Sequence, residues 1–350
     1  MVGRKEEDMP RTIQPLVFVL GLSLVFGSAA PSSPRSVDPS QDMTEELRAL
    51  IKDLKSYSEE AHKAAALKLR DLGPRAAATV PDLIEVLGMG KFFWDGLGPD
   101  GKMTGGSIDH AGAAAMILVA IGRPAVEPLV EFLGKSGGRE ARNRENVRVA
   151  AIDVLGRVKD ERAIDALLLS LQDSVYAVSF ASAKALLAFE NPAFLDKLMP
   201  GLESRNSDYR DIVAWVFIQK KDPRVFPYIQ RKIGDVFPDV REDGLSDLES
   251  FGGERAMTLI SGLLDKDQDK GVRAKAARVL GDRGNRAAVE PLLRALKDPE
   301  AEVCANAATA LGKLKDKRAV EPITALLKDG RPEVRDAAAA ALNSIAGKTP

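Results

Sequence analysis

Residues Arg286 to Lys315, RAAVEPLLRALKDPEAEVCANAATALGKLK, are followed at once by a second copy, RAVEPITALLKDGRPEVRDAAAAALNSIAG (Arg318 to Gly347). Pro322 answers Pro291, Asp329 answers Asp298 and Val334 answers Val303, at a constant offset of 31 residues. A fixed period of this length is the signature of a stacked array, in which each unit buries its apolar face only against its neighbours. The register can be followed through Val147-Arg148, Val178-Ser179, Tyr209-Arg210, Val240-Arg241, Val272-Arg273, Val303-Cys304 and Val334-Arg335, at intervals of 31, 31, 31, 32, 31 and 31. One residue inserted inside a helix would turn its apolar face by about 100°, so insertions have to fall in loops. Upstream, AHKAAALKLRDLGPRA (Ala61 to Ala76) and HAGAAAMILVAIGRPA (His110 to Ala125) each align without a gap to VRAKAARVLGDRGNRA (Val272 to Ala287). The chain therefore reads as all-α, an α-solenoid of about nine helix pairs over residues 42–346. First helices begin near Thr44, Arg75, Pro124, Arg162, Pro192, Pro223, Glu254, Arg286 and Arg318.

Spacing decides for helices over strands. In AVEPLLRALKD the apolar residues Val289, Leu292, Leu293 and Leu296 fall at i, i+3, i+4 and i+7, one helical stripe. The second helix carries Val303, Ala307, Ala310 and Leu311, whose alanines let a neighbouring backbone come close, with Gly312 near its end. Aromatics make up only 5% of the chain, as suits packing through small residues and aliphatic knobs. Pro128, Pro291 and Pro322 fall in the early turns of first helices, where a missing N–H is tolerated.

An acid recurs six residues before the arginine of the register: Asp235 and Arg241, Asp267 and Arg273, Asp329 and Arg335. The Asp lies in the turn between the helices and the Arg in the first turn of the second, so each Arg can reach an Asp of its own or of an adjacent unit. This is a structural ladder. Some rungs are incomplete: Asp173 faces Ser179, Ser204 faces Arg210, and Asp298 faces Cys304. Cys304 is expected as a half-buried filler, and as the single cysteine it excludes an intrachain disulfide. The pair xPLxxLxD, then VRxxAAxALG, resembles the HEAT-like repeat of the type also found in phycobilin lyases, over roughly Asp42 to Ala346. In that family the Asp and Arg form a stacked network between repeats, which the resemblance implies for Asp235, Asp267, Asp329, Arg241, Arg273 and Arg335. Family functions are diverse and mostly macromolecular binding, and fold alone does not supply one.

The N-terminus is a separate object. Leu16 to Phe26, LVFVLGLSLVF, is an uncharged apolar run followed by small residues, the pattern of a secretory signal. It is too short to span a bilayer as a helix, so residues 1–30 are expected as a cleaved signal peptide, with an uncleaved membrane anchor as the alternative. Acids cancel the basic residues ahead of the run, and a start at Met9 would restore a short basic segment. Residues 31–41, rich in Pro and Ser, read as a disordered linker, and 347–350 as a tail. The expected location is periplasmic or extracellular.

Two insertions break the period. Residues 88–107 contain Phe92, Phe93 and Trp94 among seven glycines, either a plug against the first helices or an exposed anchor for a partner. The calcium-loop ligand pattern is absent there. Residues 134–146 carry Lys135, Arg139, Arg142 and Arg144 against Glu140 and Glu145, a solvated loop or a contact for an acidic partner. In the sixth pair Trp215, Phe217, Phe226, Tyr228 and Phe237 are expected to fill the core around an irregular helix.

Chemistry has few candidates. His62 and His110 are the two histidines, placed one unit apart and so expected roughly 10 Å from each other, too far to share a metal. Neither belongs to a His-Glu pair such as the metal-dependent HEAT-repeat hydroxylases carry, and no phosphate loop or nucleophile motif is present. The expected function is a non-enzymatic, exported scaffold with no cofactor, binding another protein or peptide on the concave face formed by the second helices and through the aromatic Gly-rich loop. A lyase-like or chromophore-handling role rests on the resemblance alone. A nucleic-acid-binding array is opposed by the net charge of −1.

Overall fold

The computed structural model describes residues 39–89, 109–135 and 144–347. The chain divides into two units, Met1–Met43 and Thr44–Pro350, the second carrying the stack. Phe92, Phe93, Trp94, Arg139 and Arg142, with most of both insertions, lie outside the described residues, as do the apolar run and the linker up to residue 38.

Helices alternate in pairs. First helices are α1 (Pro39–Leu54), α3 (Val80–Val86), α5 (Val126–Lys135), α7 (Ile164–Ser170), α9 (Phe194–Leu198), α11 (Phe226–Ile233), α13 (Gly253–Lys266), α15 (Val289–Ala295) and α17 (Val320–Leu326). Second helices are α2 (Glu59–Leu72), α4 (His110–Ile121), α6 (Glu145–Val158), α8 (Tyr176–Leu187), α10 (Ser207–Gln219), α12 (Pro238–Phe251), α14 (Lys270–Asp282), α16 (Ala301–Leu314) and α18 (Pro332–Ile345). Several first helices are entered through a 3-10 turn, as at Arg286–Ala288 and Lys317–Ala319. The turn places Pro291 and Pro322 third in α15 and α17, where the helix has not yet closed its own hydrogen bonds.

Second helices pack on one another along the stack, α14 on α16 and α16 on α18, and each also packs on its own first helix. The approach is set by glycine facing alanine. A Cβ added at Gly156 would stand 2.8 Å from Ala185 Cβ, one at Gly281 2.5 Å from Ala310 Cβ, and one at Gly312 2.8 Å from Ala341 Cα. Gly312 thus serves contact between helices, while the left-handed Lys315 (φ 51°) ends α16. Burial on two sides goes furthest in α4, where every residue from Ala111 to Leu118 is buried. No single helix among the described residues is long and apolar enough to cross a membrane.

Around the sixth pair Phe217, Phe226 and Tyr228 are buried, but Phe237 is 63% exposed, against the expectation that it fills the core. The reason is local: Phe237 stands immediately before α12, in the turn between helices, where Asp235 accepts its backbone N–H and no helix covers its side. Trp215 also differs, turning outward from α10 to meet Phe180 of α8.

Two glycine substitutions should move stability in opposite directions. Gly281→Ala forces backbone apart and is expected to cost about 1–3 kcal/mol. Gly262→Ala, in α13 with open space at the Cβ position, is expected to stabilise by roughly 0.5–1 kcal/mol through helix propensity. Urea unfolding midpoints of the two variants check the pair.

Candidate functional site

The turns inside the pairs hold the ladder residues. Each acid first closes its own turn, accepting the backbone N–H two residues on: Asp173 from Val175, Asp235 from Phe237, Asp267 from Asp269, Asp298 from Glu300, Asp329 from Arg331. This is the Asx-turn geometry available to a short carboxylate. In Asp173, Asp267 and Asp298 the carboxylate also meets an arginine of the preceding pair. Arg241 donates from Nε and Nη2 to Asp267 at 2.8 and 2.7 Å, and Arg273 to Asp298 at 2.8 and 3.0 Å. Arg148 binds Asp173 in the same sense. The Nη1 groups of Arg241 and Arg273 donate to the carbonyls of their own turns, Asp235 and Val236 for one and Asp267 and Gln268 for the other. One planar guanidinium therefore ties two successive turns, a role that needs Arg's fixed fork.

Rungs run forward, from an arginine to the next unit's acid, so Asp298 is complete although Cys304 follows it. The pairs are well buried, with side-chain exposures of 12% and 4% for Arg241 and Asp267. Burial alone would push the Asp298 carboxyl up, but the Arg273 fork, the Glu300 N–H and the charges of Arg273 and Arg331 hold it below the usual carboxylate range.

Where Cys304 replaces the arginine, Arg331 does the same work from the other side. It forks Asp329 and donates to the Asp298 and Pro299 carbonyls, the partners that an arginine at position 304 would have reached. The Arg331 fork holds the Asp329 carboxyl at about 2. Arg335, in the last pair, donates to the Asp329 carbonyl. Cys304 is fully buried rather than half-buried, its Sγ donating to Leu296 O at 3.1 Å. A second set of forks went unread in the sequence. In DER, DPR and DKR, the arginines Arg162, Arg224 and Arg318 bind the acid two residues earlier and reach back to Glu127, Asp196 and Glu290. The Asp-x-Arg spacing at the entry to a first helix was the available signal. The forked acids are covered, with side-chain exposures of 7%, 15% and 16% for Asp160, Asp222 and Asp316, whereas the contacts reaching back to Glu127, Asp196 and Glu290 are exposed and contribute little.

One rung is open. Arg210 donates to Ser204 O, and no hydrogen bond joins it to Asp235 among the described residues. A cleft of about 480 Å³ lies there, lined by Arg210, Asp211, Tyr228, Lys232, Asp235 and Asp243 among others. Tyr228 donates its hydroxyl to Asp211, and Lys232 binds Asp247 at 2.9 Å, whose carboxyl is pushed up by burial.

Beside this cleft the outward faces of α8 and α10 carry an aromatic strip. Tyr176, 65% exposed, stacks on Phe180 one turn along, with centroids 5.7 Å apart and planes 8° from parallel. Phe180 meets Trp215 of the next second helix at 5.1 Å. Phe180 and Trp215 are half-buried, and the exposed Asp208 and Asp211 share Trp215's face of α10. Of the expected contact residues that are described, Lys135 is exposed and bound to Glu131, and Arg144 is exposed at the entry to α6.

The histidines stand closer than the stacking distance of helices implied. Their ring centroids are 4.5 Å apart, not roughly 10 Å, because both side chains project into the gap between α2 and α4. His62 aligns with the ladder arginine Arg273, and its Nδ1 lies 2.7 Å from Leu54 O, eight residues back, just as Cys304 bonds Leu296 O.

The family description "HEAT repeats" matches residues 139–218 and 256–343. No curated protein sequence matches the chain. Among solved structures, the karyopherin Kap121p bound to the extreme C-terminus of the protein phosphatase Cdc14p superposes with TM-score 0.53 at 13% identity, covering 87% of this chain and 38% of that one. Kap121p in another structure gives TM-score 0.51 at 13% identity and the same coverage. This chain thus spans less than two fifths of the karyopherin. Human deoxyhypusine hydroxylase in complex with glycerol is 19% identical over 88% of this chain and 99% of its own, with TM-score 0.32. At these identities the likeness concerns the fold alone.

Arg273→Ala leaves Asp298 buried without its fork and is expected to lower stability by about 1–3 kcal/mol at pH 7. A carboxyl held low in the folded state contributes stability above its unfolded pKa of about 3.9, and that contribution is lost as pH falls through the lower folded value. The gap in urea midpoint between parent and variant should therefore be full at pH 7 and narrow steadily below pH 4.

Proposed function

Because the chain is a HEAT-repeat α-solenoid, we propose that it is a non-enzymatic scaffold that binds another protein or a peptide on the outward faces of its second helices. The observation that carries this reading is the strip Tyr176, Phe180 and Trp215. Large aromatic side chains on a helix face normally go to the core. Three in mutual contact that keep exposed surface are the kind of rigid anchor that dominates binding interfaces. The fold likeness to a karyopherin held with a protein segment is consistent with it.

Within this reading Phe92, Phe93 and Trp94 provide an additional anchor, and Lys135, Arg139, Arg142 and Arg144 contact acidic groups of the partner. The apolar run Leu16 to Phe26 directs the chain out of the cytoplasm, so the partner is sought in the periplasm or outside the cell.

Selection from a displayed peptide library against the immobilised mature chain tests the scaffold. Phe180→Ala and Tyr176→Ala are each expected to weaken a selected peptide about tenfold or more, ~1.4 kcal/mol, while circular dichroism and the urea midpoint stay close to the parent's. Unchanged affinity in both variants refutes the strip as the site. Deleting residues 88–107 is expected to reduce retention of the natural partner from native envelope extract without lowering stability. A loss of stability instead would assign that loop to the core.

A further inference from the structure

A segment bound on the aromatic strip has to suit its surroundings as well as the rings, and those surroundings are acidic. On α10 the residues Asp208, Asp211 and Trp215 fall at i, i+3 and i+7, one helix face, and both acids are exposed. Asp211 also lines the cleft of about 480 Å³, together with Asp235 and Asp243. The bases of that cleft are engaged. Arg231 pairs with Glu203 at 2.8 Å and Lys232 with Asp247 at 2.9 Å, while Arg210 donates to the Ser204 carbonyl. The acids lack such partners. Asp211 accepts from the Tyr228 hydroxyl, Asp235 from the Phe237 N–H and Asp208 from the Ser207 hydroxyl, neutral donors that leave each charge uncompensated. Among the described residues no ion pair joins Asp208, Asp211, Asp235 or Asp243 to a base, the exposed Lys184 of α8 and Arg205 ahead of α10 included.

The acids are also crowded. The Asp247 carboxyl is pushed up first by burial and then, against the pull of Lys232, by the charges of Asp211 and Asp243. Three carboxylates thus share one ammonium. Burial and the bond to Asp211 raise the Tyr228 pKa, so its hydroxyl stays a donor and fixes one oxygen of Asp211 while the other is left open.

One face of α10 therefore joins ring surface to carboxylates without a cation. A basic side chain satisfies both, its charge attracted to ring faces and carboxylates and its methylene stem covering apolar surface. We propose that the segment bound on Tyr176, Phe180 and Trp215 is basic, and that it lays a Lys or Arg side chain beside Trp215 with its charge toward Asp211 and the cleft acids Asp235 and Asp243. The assignment rests on the strip being the binding site and adds the charge of what binds there. An acidic segment is repelled by the same carboxylates, and a purely apolar one covers them without offering a partner. The acidic groups that meet Lys135 and Arg144 belong to another part of the partner, since those bases stand at the end of α5 and the entry to α6, one pair earlier.

The test uses the full chain and two fluorescein-labelled peptides, one alternating Lys with Leu and one alternating Glu with Leu, followed by fluorescence anisotropy at neutral pH. The Lys-Leu peptide is expected to bind at least about tenfold more tightly, with the difference shrinking as salt rises from about 0.05 to about 0.5 M. Asp208→Asn, and Asp211→Asn, which keeps an acceptor for Tyr228, are each expected to weaken the Lys-Leu peptide about threefold, and together about tenfold, with the urea midpoint close to the parent's. Equal affinity for the two peptides, no binding of the Lys-Leu peptide, or unchanged affinity in the double variant overturns the assignment. Tyr176→Ala separates the two readings. If it weakens both peptides while the acid variants change nothing, the strip stands as the site and only its preference for a base falls. If it changes nothing while the acid variants weaken the Lys-Leu peptide, the carboxylates act away from the rings, and the strip falls together with the basic side chain beside Trp215.

Discussion

Contact between successive second helices is the constraint on which the rest of the fold rests. Where Gly281 meets Ala310 and Gly312 meets Ala341, backbones approach to distances that leave no room for a Cβ. At that separation a helix has a neighbour on each side and its own first helix behind it, so its buried residues must be small or aliphatic. Aromatic rings fit at few places, which explains a chain with only 5% aromatics. It also explains how α4, which is too short to cross a membrane by itself, buries every residue from Ala111 to Leu118.

Close stacking brings the turns inside the pairs together, and the turns are where polar groups must be satisfied. A guanidinium that donates to the carbonyls of one turn and to the carboxylate of the next does this with one side chain. The exception at Cys304 is informative about how such a network tolerates change. Loss of the arginine leaves two carbonyls and a carboxylate to be met, and Arg331, two residues past the acid, meets all three from the following unit. The requirement belongs to the acceptors in the turns rather than to any one sequence position. At Arg210 the fork is not made: the side chain donates to the Ser204 carbonyl of its own turn, no hydrogen bond among the described residues joins it to Asp235 of the next, and a cleft lies beside it.

Departures from the stacking rule are where function is to be sought. Tyr176, Phe180 and Trp215 are bulky residues on faces that packing does not need. They use the scaffold for position and owe nothing to it for their side-chain identity.

The 31-residue repeat in the chain determined the fold class, because an apolar stripe at i, i+3, i+4 and i+7, repeated at a fixed interval, can be buried in no arrangement other than stacked helix pairs. It also marked the ladder residues and the insertions, since each is visible as a regularity or a breach of one. What the sequence could not decide were contacts between side chains of different units. Repeat register gives the spacing of helix axes, roughly 10 Å, but side chains projecting from both helices close that gap, which is why the imidazole centroids stand 4.5 Å apart. The forward direction of the rungs, the stand-in by Arg331, the outward turn of Trp215 and the exposure of Phe237 were likewise settled by tertiary packing. Each depends on which neighbour a side chain meets across the stack, and periodicity along one helix carries no information about that.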